Sequence, residues 1–205
     1  MKNIFKHILL LSITVLILFT GCSEEKKKTA KIVSPSTPTD TSCIIIVYSV
    51  SGTGSGNITL TKKSDRVKLE LEKNINGEKN IETRYISDGW IYFYFTTESI
   101  VQPVKSRINK DQLYLKNFAS LADAEEIILR AKKNGQEIIA GYVCDIYENT
   151  DGSKFSVYNS KYVLQSSFDG IVITANSINL NASVAMKDVE KPTNIEFLEL
   201  TTGPL

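Results

Sequence analysis

Apolar and polar residues alternate along much of the chain from residue 43 onward, and this alternation predicts a mainly β domain. Val67, Leu69 and Leu71 each stand between charged neighbours, which is the pattern of a strand with one face in the core and one in water. Residues 43–50 form a β-branched, apolar run that is typical of a buried strand. Turns follow at short intervals, and the Asn-Gly and Asp-Gly pairs among them favour hairpins. Successive strands are therefore expected to be antiparallel neighbours.

Residues 121–134 depart from this alternation and predict one helix. Their apolar side chains recur every three or four residues and form a single stripe, made of Leu121, Ala124, Ile127, Ile128 and Ala131. Ser120 is expected to cap the N-terminus, and Gly135 is expected to end the helix at its C′ position. A helix with one apolar face in an antiparallel protein packs onto one face of the sheet. The predicted fold class is therefore α+β, mainly β.

The start of the chain has a third pattern, that of a secretory signal peptide. Lys2 and Lys6 precede an apolar run of twelve residues, 8–19, and small residues follow it. The run is too short to span a bilayer comfortably. Residues 1–21 are therefore expected to be removed from the mature protein, although an uncleaved signal anchor is an alternative interpretation.

The segment Phe19-Thr20-Gly21-Cys22 resembles the lipobox of bacterial lipoproteins. That resemblance implies cleavage before Cys22 and acylation of this cysteine with chains such as palmitate, which would anchor the protein in the cell envelope. Two or three acyl chains make a nearly permanent anchor, at about 0.8 kcal/mol per buried methylene. Ser23 stands where retention in the inner membrane commonly requires aspartate. In a host with two membranes, the resemblance therefore favours the outer membrane, with the protein facing the periplasm.

Residues 22–42 predict a lipidated cysteine followed by a flexible tether. From residue 23 the segment reads SEEKKKTAKIVSPSTPTDTS, which has no aromatic residue and is rich in lysine, serine, threonine and proline. Residues 43–205 are long enough for a single domain with its own core. The expected organisation is a signal peptide over 1–21, an anchor and tether over 22–42, and one domain over 43–205.

Charge and composition exclude several classes of function. Removal of residues 1–21 takes away Lys2, Lys6 and the only histidine, which leaves 22 basic and 23 acidic side chains. A chain of nearly zero net charge without a basic cluster is not expected to bind nucleic acid. Without histidine, the mature chain cannot form a Ser-His-Asp triad, a Cys-His pair or a histidine zinc site. We expect no enzymatic activity, no metal site and no cofactor.

Two cysteines remain besides Cys22, and they allow two interpretations. A disulfide between Cys43 and Cys144 would close a loop of about a hundred residues and stabilise the fold by about 4 to 5 kcal/mol in the chain-entropy model. The alternative is a pair of buried thiols that pack as small apolar groups. The sequence does not decide between them, because it does not place the two residues at bonding distance.

Three stretches of the chain, read in order, resemble a known family: SGTGSGNITLTKKSDRVKLELE, YISDGWIYFYF and, after the predicted helix, NGQEIIAGYVCDIYE. They look like bacterial lipoprotein carriers of the LolA and LolB type, and more closely like lipoprotein relatives in which a G-x-x-C-D-x-Y strand follows a helix. The resemblance implies a strongly curved antiparallel sheet, an incomplete barrel, packed on one main helix. It also implies a cavity between sheet and helix that takes acyl chains.

The candidate ligand-binding residues lie on one strand and on the helix. Residues 90–95 are apolar on both faces, so one face is expected to enter the core and the other to line an apolar cavity or remain half-buried. The candidates are Trp90, Tyr92, Tyr94, Ile127 and Ile128. The expected function is a non-enzymatic envelope lipoprotein that binds a lipid or the acyl chains of another lipoprotein. The alternative is a structural or regulatory protein-interaction module on the same scaffold.

Overall fold

The computed structural model describes residues 43–75, 78–95, 102–108 and 118–200. The predicted signal peptide, the lipobox with Cys22 and the tether lie outside these residues. Residues 31–205 form one compact unit. Within the described ranges, no helix has the length and apolar character that crossing a membrane requires.

The described residues form twelve strands and one short α-helix. The strands are β1 Cys43–Gly52, β2 Gly56–Lys63, β3 Arg66–Ile75, β4 Glu78–Ser87, β5 Trp90–Phe95, β6 Val104–Arg107, β7 Lys132–Ile139, β8 Tyr142–Glu148, β9 Lys154–Tyr158, β10 Tyr162–Phe168, β11 Ile171–Ala182 and β12 Leu198–Glu199. The α-helix, α1, is Ala124–Arg130, and 3-10 helices cover Phe118–Ala122 and Met186–Asp188.

All twelve strands belong to a single open, curved sheet. Its order is β12-β6-β5-β4-β3-β2-β1-β11-β10-β9-β8-β7, and every neighbouring pair is antiparallel except β12 with β6. Two runs of hairpins, β1 to β6 and β7 to β11, are joined side by side where β1 pairs with β11. The prediction of a mainly β, antiparallel protein is confirmed.

The register of the strands puts the alternating apolar residues on one inner face. Ile46 lies opposite Leu60, Leu60 opposite Leu69, and Leu69 is completely buried. Ile86 and Ile91 continue this face onto β4 and β5. Because side chains alternate between the two faces of a strand, the charged neighbours in β3 point away from the core.

The 3-10 helix and α1 fill the inner face of the curved sheet. The buried side chains that they contribute are Ala119, Leu121, Ala124 and Ile127, all of which belong to the main hydrophobic core. Tyr48 reaches across the same interior, where its hydroxyl donates to the Val163 carbonyl at 2.8 Å. Complete burial raises the pKa of this tyrosine far above its usual value.

The helix is shorter than predicted at both ends. Ser120 is buried inside the 3-10 helix, and the cap of α1 is Asp123, whose side chain accepts from the backbone N–H of Glu126 at 3.2 Å. The backbone is already extended at Ala131, and β7 begins one residue later. Gly135 lies within β7 beside a register shift, with φ at +137°. Pairing with β8 binds the backbone groups along one edge of residues 132–139, and this ladder overrides the local helical pattern.

The two cysteines of the domain do not form a disulfide. Cys43 and Cys144 are both free thiols and both buried, which is the alternative arrangement considered from the sequence. They lie on β1 and β8, with β11, β10 and β9 between them in the sheet. Burial raises the pKa of the Cys144 thiol to about 11. Both cysteines therefore act as small apolar side chains, with thiols kept in the protonated form.

Candidate functional site: an apolar pocket at the rim of the sheet

The three aromatic candidates on β5 face away from the core. Ile91, which has the opposite parity, enters the core, so Trp90, Tyr92 and Tyr94 lie on the outer face of the sheet. The guanidinium carbon of Arg107 lies 4.1 Å from the centroid of the Trp90 ring. The Tyr94 hydroxyl is partly removed from water, and this desolvation is the main reason why its pKa is raised to about 12.

This outer aromatic face is covered by the C-terminal segment, residues 184–200. The Phe197 ring makes edge contacts with Tyr92 and Tyr94, at centroid distances of 5.3 and 6.2 Å. Val189 is buried, and Glu190 forms an ion pair with Arg66 on β3. The backbone N–H groups of residues 198 and 200 donate to carbonyls of residues 103 and 105, each at 2.9 Å. The aromatic face is therefore half-buried and serves as a packing surface for this segment.

The five predicted ligand-binding residues consequently do not form one site. Ile127 is completely buried in the core on the inner side of the sheet, and Ile128 packs against the same core. The three aromatic residues lie on the opposite side of the sheet, where Tyr92 and Tyr94 contact the C-terminal segment. Local alternation identifies two faces of β5, but it does not tell which face a distant segment will cover.

An apolar pocket opens on the inner face, at the end of the sheet where β1 passes into β2. Its volume is about 210 Å³. Apolar side chains from four separate parts of the chain form its walls: Val50, Ile58, Leu71, Phe118 and Ile171. Its rim is completed by Gly54, Ser55, Gly56, Asn57, Glu72 and Lys73. The pocket thus combines an apolar interior with a polar edge.

Glycines shape the β1–β2 hairpin at this rim. Gly56 has φ at +147°, and a Cβ at this position would lie 2.3 Å from the carbonyl oxygen of Glu72. Only glycine therefore lets β2 begin so close to β3. The glycine-rich stretch between β1 and β2 serves as a hairpin connection, since the two strands that flank it are antiparallel partners.

A buried ion pair lies beside the pocket on the same face of the sheet. Leu71 is paired with Glu82 and Leu69 with Arg84, which places both charged side chains among apolar neighbours. Two nitrogens of Arg84 contact one oxygen of Glu82, at 2.7 and 2.8 Å. The other oxygen of Glu82 lies 3.4 Å from the ammonium of Lys73.

The pocket and the ion pair share one aromatic ring. The guanidinium of Arg84 lies 5.5 Å from the centroid of Phe118, which is a wall of the pocket, and 5.4 Å from the centroid of Phe93. These stacked contacts hold the arginine against the apolar interior. The free-energy cost of burying these two charges is offset by the hydrogen bonds between them. An unpaired charge at this depth would be very costly.

The charged residues of this site are not among the candidates predicted from the sequence. The pattern that could have identified them is a charged side chain on an otherwise apolar face of a strand. Lys73 follows Leu69 and Leu71 at intervals of two residues. Glu82 and Arg84 precede Ile86 at the same interval. Such a break in a core-facing pattern indicates either a structural ion pair or a binding site.

A second, more polar pocket of about 330 Å³ lies at the other end of the 3-10 helix. Its lining includes Lys62, Asp123, Glu125 and Lys161, so charges of both signs surround it. Within the described ranges, no group of three or more histidine, cysteine, aspartate and glutamate side chains is arranged to hold a metal ion.

The carboxylates of β8 serve as cross-strand partners. Asp145 lies 2.7 Å from the ammonium of Lys133 and accepts from the Gln136 amide at 2.8 Å, and these contacts lower its pKa. Glu148 accepts from the Asn134 amide at 2.7 Å. The two carboxylates are thus engaged by different partners and do not form a pair.

No protein-family model and no curated protein matches the chain. Among solved structures, the chain is similar to an uncharacterized conserved protein from Thermus thermophilus. The TM-score is 0.51 at 8% identity, over 78% of this chain and 91% of that chain. At such low identity, this similarity shows a shared fold and nothing about function.

Weaker similarities connect the chain with MucB. The crystal structure of MucB has a TM-score of 0.36 at 10% identity, and the MucA/MucB complex of Pseudomonas aeruginosa has 0.41 at 15%. Each covers 78% of this chain and 60% of the other chain. These scores lie below the range in which two folds are regarded as shared.

Proposed function

We propose that this chain is a lipid-anchored protein of the bacterial cell envelope that binds an apolar ligand and catalyses no reaction. The observation that carries the proposal is the rim pocket, whose walls are Val50, Ile58, Leu71, Phe118 and Ile171. An exposed concavity of this kind gains free energy when an apolar group displaces its water. The N-terminal lipobox supports the location, and the neutral, histidine-free composition supports a binding role.

The size of the pocket limits what it can hold. Ligand pockets for whole small molecules have volumes of about 300 to 1,000 Å³, whereas a cavity of about 150 Å³ takes benzene. A pocket of about 210 Å³ therefore suits one short apolar segment, such as part of an acyl chain of a lipid or of another lipoprotein. Burial of five methylenes would contribute about 4 kcal/mol, at about 0.8 kcal/mol each.

The binding experiment uses the mature chain, residues 22–205 with Cys22→Ser, which contains the whole compact unit 31–205. We expect a neutral apolar dye, N-phenyl-1-naphthylamine, to bind with enhanced fluorescence. Gly54→Leu adds a side chain at the rim, where a Cβ meets only Val50 at 3.6 Å, and it should weaken binding about tenfold. Thr150→Leu, in an exposed hairpin turn, is the matched control and should change nothing.

Two outcomes would contradict the pocket as the binding site. The first is a mature protein that leaves the dye fluorescence unchanged. The second is a Gly54→Leu protein that binds as tightly as the Thr150→Leu control.

The lipid anchor has its own test in cells. Cys22→Ser should abolish acyl labelling and either release the protein or leave an uncleaved precursor, because the thiolate is the only group that can accept the diacylglyceryl chain. Lys28→Ala, in the predicted tether, should leave labelling and location unchanged. Acyl labelling that persists in the Cys22→Ser protein would refute the anchor.

A protein-interaction module is the second candidate, and one observation favours it. β7 stands at the end of the sheet order, so no described strand pairs with its outer edge. Ile138 on β7 and Val143 on β8 are directly opposite each other and are 47% and 42% exposed. An open edge with an exposed apolar pair can accept a strand from a partner. Crosslinking in intact cells would favour this candidate if one stoichiometric partner is captured and is lost in Ile138→Lys.

A further inference from the structure

The rim pocket has a positive charge at its mouth. Lys73 lies two residues beyond Leu71 on the same strand face, so its methylene stem continues the apolar wall that Leu71 forms. Its side chain is 44% exposed, which leaves the ammonium accessible at the edge of the pocket. We infer that the ligand of this pocket carries an anionic head group, a carboxylate or a phosphate, that pairs with Lys73. This inference rests on the proposed function.

Glu82 contacts two cationic side chains, Lys73 and Arg84, and Lys73 is the more weakly held of the two. Its ammonium lies 3.4 Å from Glu82, whereas Arg84 contacts the same carboxylate at 2.7 and 2.8 Å. Glu82 and Arg84 have side chains that are 7% and 13% exposed, so they form the fixed, buried part of the group. When Lys73 turns toward a ligand, Glu82 keeps its two contacts with Arg84 and no unpaired charge is left in the core.

The other charged residue of the lining does not oppose an anion. Among the described residues, Glu72 and Lys73 are the only charged side chains that line the pocket. Neighbouring residues of a strand point to opposite faces, and the Glu72 carboxylate is bound by Lys79 at 2.8 Å. The hydroxyl of Ser55 adds a hydrogen-bond donor at the same rim.

An apolar pocket with one cation and one neutral donor at its mouth matches an amphiphile with a single anionic head. The apolar tail supplies affinity through burial, and the head group supplies orientation through a charge-assisted hydrogen bond. A partly exposed pair of this kind is expected to improve binding about fivefold over an uncharged head.

The experiment compares hexanoate, hexyl phosphate and hexanol, whose short tails match the segment that the pocket can hold, as competitors of N-phenyl-1-naphthylamine at about pH 8, where fatty carboxylates are ionised. The protein is the mature chain, residues 22–205 with Cys22→Ser. We expect one or both anionic amphiphiles to bind about fivefold more tightly than hexanol, and the comparison of the two identifies a carboxylate or a phosphate head. Lys73→Gln should remove this preference while leaving the affinity for hexanol unchanged, which also shows that the variant is folded.

Lys154→Gln is the matched control, because Lys154 is an exposed lysine on β9, pairs with Glu148 and does not line the pocket. This variant should keep the preference for anions. Equal binding of the three amphiphiles, or a preference that survives Lys73→Gln, would overturn the inference while leaving the proposed function intact. If none of the three displaces the dye, the proposed function fails together with the inference.

Discussion

Substitution of Gly52 by alanine tests the close approach that holds the rim hairpin in place. Gly52 ends β1 with φ at +92°, and a Cβ on it would lie 2.0 Å from the carbonyl oxygen of Gly170. The same oxygen accepts from the backbone N–H of Thr53 at 3.0 Å. The added methyl therefore requires the end of β1 to move away from the β10–β11 turn, which breaks this hydrogen bond.

The expected cost follows from two contributions. A left-handed backbone costs an alanine about 1 to 2 kcal/mol relative to glycine, and loss of the hydrogen bond adds about 1 kcal/mol. Gly89→Ala is the matched control, since Gly89 has φ at +76° but nothing lies within 4 Å of its added Cβ. We therefore expect Gly52→Ala to lose up to about 3 kcal/mol of unfolding free energy and Gly89→Ala up to about 2 kcal/mol, so that the two losses differ by about 1 kcal/mol.

Urea unfolding of the mature chain, followed by circular dichroism, measures both losses. A loss of about 3 kcal/mol is a large part of the stability of an ordinary domain, so the shift in midpoint should be clear. Because residues 54–56 belong to the rim, Gly52→Ala should also weaken dye binding more than Gly89→Ala does. Equal losses of stability in the two variants would refute the close approach as their cause.

Three further predictions follow from other contacts. Without reductant, the two thiols of Cys43 and Cys144 in the unlipidated mature chain should react with a thiol reagent only after denaturation. If no free thiol is found after denaturation, the two cysteines are joined by a disulfide. The Asp145 carboxylate should titrate below its usual pKa by NMR, and Lys133→Gln should raise that pKa. Because the folded pKa is the lower one, ionised Asp145 favours the folded state at neutral pH, and this contribution is lost as pH falls through the folded pKa. Phe197→Ala should lower stability by about 1 to 2 kcal/mol and speed proteolysis of residues 184–200, and unchanged cleavage would contradict the covering role.

The path of the C-terminal segment changes how the aromatic strand is understood. From the sequence, one face of β5 was expected either to line an apolar cavity or to remain half-buried. The contacts of Phe197 with Tyr92 and Tyr94 make the outer face a packing surface, while Phe93 on the inner face contacts Arg84 beside the pocket. The binding site that we propose therefore lies on the opposite side of the sheet from the predicted aromatic residues.

The sequence alone determined the features that depend on neighbouring residues. The alternation of Val67, Leu69 and Leu71 predicted β3 and its buried face. The Asn-Gly and Asp-Gly pairs predicted that successive strands are antiparallel neighbours. Such features follow from the two-residue period of a strand and from turn geometry, both of which are encoded within a few residues.

Only the tertiary structure decided the features that depend on distant partners. Residues 132–139 have the composition of a helix end, but pairing with β8 made them a strand. The pocket is lined by Val50, Leu71, Phe118 and Ile171, which are far apart in the sequence. Lys73 also lines it and lies beside Glu82 of the neighbouring strand. Burial, coverage and charge pairing are properties of contacts between such segments, so no local period in the sequence could specify them.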